Sequence, residues 1–159
     1  LMQRAGIALE ANRTEDAIAH LDAAAKASRD PLIADAAGLK AAWAAMDEAP
    51  LADIEARLEP LTRDKRPYSA FAREALAMAR LQHGQVDQAR EALVLLKNGL
   101  DTPQVVSRRA DLAISAIDAG GGANLAAIVR AQAAIPATPP QAAGASGAEA
   151  SAAPAPDRP

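Results

Sequence analysis

The chain has 159 residues, half of them apolar, a net charge of −3 and a pI near 5.4. That mildly acidic balance gives no electrostatic footprint for nucleic acid or for an anionic membrane surface. The sequence has no cysteine, which excludes disulfides and thiolate metal sites, and no run of about 18 apolar residues to span a bilayer.

Alanine dominates the apolar content, and Trp43, Tyr68 and Phe71 are the only aromatic residues. Alanine is the best helix former and lets helices approach closely. Nothing alternates with period two for long, so the pattern predicts an all-α protein.

The opening stretch LMQRAGIALEANR reads as the middle of a helix ending near Ala11, and we expect a preceding segment in a longer protein. A second helix is predicted from Thr14 as N-cap, with Glu15 and Asp16 in its first turn, where negative charge suits the helix dipole. Its apolar face is Ala17, Ile18, Leu21, Ala24 and Ala25. Asp30 caps a third helix that opens at Pro31 and carries the stripe Leu32, Ala36, Leu39, Trp43 and Met46. A fourth opens at Pro50 with Leu51, Ile54, Leu58 and Leu61 inward, and Pro60 ends it because an interior proline removes a hydrogen bond.

The fifth helix is expected from about Tyr68 to His83, with Phe71, Ala75, Met78 and Ala79 on one face and Gly84 as its stop. The sixth places Val86, Ala89, Leu93 and Leu96 inward, and Asn98-Gly99 is read as a left-handed close. The seventh starts at Thr102-Pro103, with Val106, Ala110, Ala113 and Ile117 inward, and ends at the glycines 120–122. Residues 120–135 read as a hinge and a short helix. Residues 136–159 are Ala, Pro, Gly and Ser with few large apolar side chains, and read as a disordered tail.

Pro31, Pro67 and Pro103 stand 36 residues apart, twice, each at a predicted helix start, where a missing N–H is no loss. The second helices agree in register: Ala17, Leu21, Ala24, then Ile54, Leu58, Leu61, then Ala89, Leu93, Leu96. A period of this size is the mark of a helix–turn–helix repeat, and the tetratricopeptide period is about 34. The sequence therefore predicts, over residues 1–119, a tetratricopeptide-like right-handed solenoid of three helix hairpins plus a closing helix. The aromatic positions of that pattern are filled by Arg73 and Arg80.

The motifs LKAAW, LADIEARLEPL, P-x-x-x-x-AREAL, G-x-x-x-x-AR and TPQVVSRRADLAI carry a narrower likeness. Across about residues 3–119 the chain resembles the tetratricopeptide-like periplasmic domain of the YfgM family, ancillary Sec-translocon subunits, in its alphaproteobacterial form. The resemblance implies a non-catalytic protein–protein interaction domain on the periplasmic side of the inner membrane. There it would assist Sec-dependent export and hand clients to chaperones. Its partners would be other proteins or peptides, among them Sec translocon components or periplasmic chaperones. Contact with the membrane would come only through an N-terminal anchor that this sequence lacks. The alternative is a soluble tetratricopeptide scaffold in envelope assembly or cell division.

Catalysis has little to stand on. His20 and His83 are the only histidines and lie in different hairpins, so neither a cofactor nor a metal is expected. The serines lack a nucleophile-elbow context, and the triple glycine lacks a phosphate loop's lysine and preceding strand. Partner-binding candidates are the large side chains on first helices, Trp43, Tyr68, Phe71 and Met78, together with Arg108 and Arg109. Each large side chain has two readings, filling the core between hairpins or facing the groove to hold a peptide. The regular stripe around Trp43 favours the core. The two arginines read as a solvated helix face or as a contact for an acidic partner.

Overall fold

The computed structural model describes residues 1–121, which form seven α-helices and one 3-10 turn with no strand among the described residues. The fold is all-α. The helices are α1 (Met2–Glu10), α2 (Thr14–Ala27), α3 (Pro31–Ala45), α4 (Leu51–Leu58), α5 (Ser69–Gln82), α6 (Val86–Lys97) and α7 (Gln104–Asp118), with the 3-10 turn Glu59–Leu61 after α4. The expected helix within 120–135 and the tail 136–159 lie, beyond Gly121, outside the described residues.

Each helix packs on the next in the chain, and α5 also meets α7. Helices α6 and α7 run in opposite directions. Arg90 near the start of α6 binds Asp118 at the end of α7 through two hydrogen bonds of 2.7 and 3.0 Å, while Lys97 at the end of α6 reaches Asp111.

Local chemistry sets most boundaries. Asp30 caps α3, its carboxylate accepting from the Leu32 N–H at 2.9 Å, and Pro31 follows in the first turn. Asn12 and Gly84 close α1 and α5 in the same way. Each takes a left-handed conformation, with φ of 54° and 81°. Beyond Asn12, the Arg13 N–H reaches back to the Ala8 carbonyl at 2.8 Å. Beyond Gly84, the Gln85 N–H reaches back to Arg80 at 2.8 Å. This double turn satisfies carbonyls that a helix end leaves open and reverses the chain in three residues. Gly120, with φ of 85°, ends α7 similarly.

Three boundary expectations and one inward position change. Thr14 is the first residue of α2, not its cap. The turn through Asn12 is so short that Arg13, whose N–H already closes α1, takes the cap position. Pro67 lies in the turn ahead of α5, with Tyr68 at the cap. Asn98-Gly99 ends α6 without a left-handed residue: the Asn98 side chain donates to the Val94 carbonyl at 3.0 Å. Gly99 is needed for space, since a Cβ there would sit 2.5 Å from the Thr102 hydroxyl. On α7 the last two turns bury Ile114 and Ile117, with Ala113, expected inward, only half-buried.

The interior is built from alanine. Fourteen of the 25 buried apolar residues among those described are alanines, so the helices meet along seams of methyl groups. Ile54, Leu58, Leu93 and Val106 are the large apolar side chains with no exposure. Leu58 lies in one core with Leu39, Ile54 and Leu61, and Leu93 lies in a second with Leu81, Leu96 and Val106.

Among the described residues one charged residue is also fully buried. Asp35, in the second turn of α3, accepts a hydrogen bond from Arg66 in the connection before α5. That connection passes through Lys65 at φ 65°, a conformation uncommon for a side-chain-bearing residue. The second oxygen of Asp35 finds no protein partner among the described residues.

Truncating Leu58 or Leu93 to Ala should cost about 2–5 kcal/mol, because both leave a cavity among side chains that cannot close it. Urea denaturation of the two variants measures this, and a change under 1 kcal/mol in both would refute the packing described. Replacing Arg66 by Met strands a buried carboxylate. The expected loss is about 3 kcal/mol, the low end for removing one partner of a buried pair, since Arg66 is itself part-exposed. Adding Asp35→Leu to that variant should restore most of it.

Candidate functional site

Seams of alanine leave some of the large apolar side chains outside. Leu1, Ile7, Leu9, Leu32, Ile33 and Trp43, on or beside α1 and α3, are all exposed. Trp43 is 47% exposed. This overturns the core reading of Trp43 and the stripe that contained it. The inward side of α3 is Asp35, Ala37, Leu39, Ala41, Ala42 and Ala45. The sequence misleads here because α3 is apolar nearly all round, so spacing alone selects no face.

Trp43 stands over a groove of about 410 Å³ between α1 and α3. Met2, Gly6 and Leu9 form one wall, Lys40 and Trp43 the other, and Leu21 of α2 the floor. Gly6 opens the wall, for nothing lies within 4 Å of where its Cβ would be. Lys40 is the one charged side chain in the lining, and no carboxylate among the described residues pairs with it. The result is an apolar trough with one cation that is unpaired among the described residues. Met2, Gly6, Leu9 and Lys40 were not singled out in the sequence. The signal was Lys40 itself: a lysine marks the solvent side of a helix, and Trp43 lies three residues on, on the same face.

The other candidates are placed differently. Phe71 packs against both large cores, and Tyr68 meets it edge-on with ring centres 6.1 Å apart. Arg109 lies over the Phe71 ring at 5.9 Å and grips Glu74, with Nε 2.6 Å from one carboxylate oxygen. That hydrogen bond raises the Arg109 pKa above its ordinary value. Met78 is half-buried against the core that contains Leu93. Tyr68, Phe71, Arg109 and Glu74 thus form a clasp between α5 and α7. Arg108 is exposed, with no ion pair among the described residues. The structure does not bring Trp43 together with these residues: one set lines the α1–α3 groove, the other the α5–α7 junction.

A second groove of about 390 Å³ lies across α5 and α6, where Leu76, Leu95 and Leu96 are flanked by Arg73 and Arg80. Both arginines are committed, Arg73 to Asp64 at 2.7 Å and Arg80 to Glu55 at 3.0 Å. Among the described residues no three side chains of metal-binding type come together, and no helix is long and apolar enough to cross a membrane. In comparisons with known proteins the chain matches no family model, no curated protein sequence and no solved structure.

The two aromatic positions should separate by stability. Trp43→Ala, at an exposed site, should change unfolding free energy by no more than about 0.5 kcal/mol. Phe71→Ala should cost about 1–3 kcal/mol, less than a fully buried phenylalanine because the ring is half-exposed. Denaturant titrations of both variants decide it, and equal losses would place Trp43 back in the core.

Proposed function

We propose that this chain is a non-catalytic protein-binding module of the tetratricopeptide-like kind, a right-handed stack of helix hairpins that holds apolar segments of other proteins in the groove under Trp43. The exposed Trp43 over an apolar trough carries the reading. A large aromatic that contributes little to folding is free to contribute to binding.

The repeat has its own support. Asn12, Gly84 and Gly120, the left-handed turns that end α1, α5 and α7, stand 72 and 36 residues apart, the period set by the three prolines. The hairpin α3–α4 departs from the rule. Its turn, from Met46 to Pro50, has no left-handed residue and runs straight into Pro50 at the cap of α4. Ion pairs then join alternate layers: Arg57 of α4 holds Asp22 of α2 at 2.7 Å, and Arg109 of α7 holds Glu74 of α5.

The resemblance to the YfgM family gives this module a cellular setting, the periplasmic side of the inner membrane and the hand-over of exported chains from the Sec translocon to chaperones. An exported chain is unfolded as it emerges and presents short apolar stretches, the ligand class that such a trough accepts.

The purified protein should bind a permanently unfolded, thiol-blocked model protein, with Trp43, its only tryptophan, reporting the contact by fluorescence. Leu9→Arg should weaken this binding at least tenfold, equivalent to about 1.4 kcal/mol, while leaving the melting curve in place. Trp43→Ala, followed by anisotropy of a labelled probe, should do the same. Retained binding in both variants overturns the reading.

A further inference from the structure

The turn between α6 and α7 is built on Asn98-Gly99, and its packing demands both residues. A Cβ at position 99 would lie 2.5 Å from the Thr102 hydroxyl and 3.5 Å from the Leu95 and Leu96 carbonyl oxygens, so the position needs glycine. Asn98 is exposed and caps α6, its side-chain amide donating to the Val94 carbonyl at 3.0 Å. A side-chain amide next to glycine is chemically labile, because the glycine backbone nitrogen has no side chain to shield it. Among the described residues the other asparagine is Asn12. It precedes the bulky Arg13, whose N–H is held by the Ala8 carbonyl at 2.8 Å. We infer that Asn98 is a site of self-modification, in which the Gly99 nitrogen attacks the Asn98 side chain when the α6–α7 turn opens and the product keeps the turn from closing again. The site lies apart from the groove under Trp43 and is independent of it.

The chemistry is intramolecular and needs only water. A bond forms between the Gly99 nitrogen and Asn98 Cγ, the Cγ–Nδ2 bond breaks, and Nδ2 leaves as ammonia with the Gly99 amide proton. Water then opens the five-membered imide at either carbonyl, which leaves aspartate or isoaspartate at position 98.

The closed turn holds this reaction off. Asn98 has ψ of 0°, and ring closure requires the Gly99 nitrogen to swing round to the Cβ side. The Gly99 N–H donates to the Leu96 carbonyl at 3.3 Å, and the Thr102 N–H donates to the Gly99 carbonyl at 3.1 Å. From α7 the Ser107 hydroxyl donates to the Lys97 carbonyl at 2.9 Å and stitches the two helices together across the turn. Ring closure waits for these contacts to release, so its rate follows the population of the open turn.

The product cannot rebuild the turn. Either acid replaces the donor at Asn98 by a negative charge that faces the Val94 carbonyl and the negative end of the α6 dipole. Isoaspartate also adds one carbon to the main chain between Lys97 and Gly99, which takes the bonds at the start of α7 out of register. Helix α7 is the one that carries Arg109 to Glu74 and Asp118 to Arg90. Reaction at Asn98 is therefore a one-way release of α7.

The test ages the full-length protein in mildly alkaline buffer beside a peptide of residues 93–105. Mass spectrometry follows Asn98, with electron-transfer fragmentation telling isoaspartate from aspartate. Asn98 should convert in both, roughly tenfold or more slowly in the folded protein. Ser107→Ala should speed the folded reaction about two- to tenfold, the change in open population that one lost hydrogen bond brings, and leave Asn12 unaffected. Conversion of the folded protein at the peptide's rate, or no response to Ser107→Ala, refutes gating by the turn. An Asn98 that stays intact in the peptide as well refutes the site. In the aged protein, hydrogen exchange should rise in α7 while α2 and α4 stay protected, and Asn98→Gln, whose longer side chain closes a ring far more slowly, should age without that rise. Unchanged exchange in α7 after conversion refutes its release.

Discussion

Close approach of helices through alanine is the constraint on which the rest of this structure depends. A methyl group gives little apolar area, so each seam contributes modestly by burial, at roughly 25 cal/mol per Å². The compensation is geometric. Small side chains bring backbones together, lose almost no rotamer entropy on folding, and favour the helix in their own right. Isolated Ile and Leu side chains, Ile54, Leu58 and Leu93, punctuate the seams and give each core its few fully buried large groups.

Seams of methyl groups specify rotation poorly, because one alanine fits nearly as well as the next. Charged contacts supply the missing register. Asp35 is the one buried charge among the described residues, and its bond to Arg66 fixes which side of α3 faces inward. Breaking one partner of such a pair is far more costly than replacing both with apolar groups, so the pair defines orientation more than it adds stability. The ion pairs of Arg57 with Asp22, Arg80 with Glu55 and Arg90 with Asp118 sit nearer the surface and individually contribute little. Together they tie α4 to α2, α5 to α4 and α6 to α7. Asp118, held by Arg90, keeps its carboxyl below the ordinary range.

The sequence was most legible where chemistry is local. Asp30-Pro31, Pro60 and Gly84 each act through their own backbone, and the helix edges fall at or beside them. The second helices were legible too, since α4 and α6 alternate polar and apolar residues with one clear face: Ile54 and Leu58, then Ala89, Leu93 and Leu96, are buried as expected. Legibility failed on α3, whose composition gives no face, and so Trp43 was assigned inward. It failed again at Asn98-Gly99, where a dipeptide typical of left-handed turns serves instead to clear space for Thr102. Arg109 looked free in the sequence because its partner, Glu74, lies 35 residues away.

The same constraint decides where binding can occur. Alanine seams have no room for a tryptophan, so Trp43 sits outside, whereas Phe71 is drawn in because it lies where the two large cores adjoin. A side chain that holds two cores together cannot be surrendered to a ligand without loosening both. Its neighbours Tyr68, Arg109 and Glu74 are bound by the same argument. Trp43 and Lys40 have no such duties: one is part-exposed over an open trough, the other makes no ion pair among the described residues. In a stack whose interior admits mainly small residues, large side chains are divided between those that lock the cores and those left to solvent. Under the proposed reading recognition draws on the second group, two of whose members at α1 and α3, Leu9 and Trp43, line one groove.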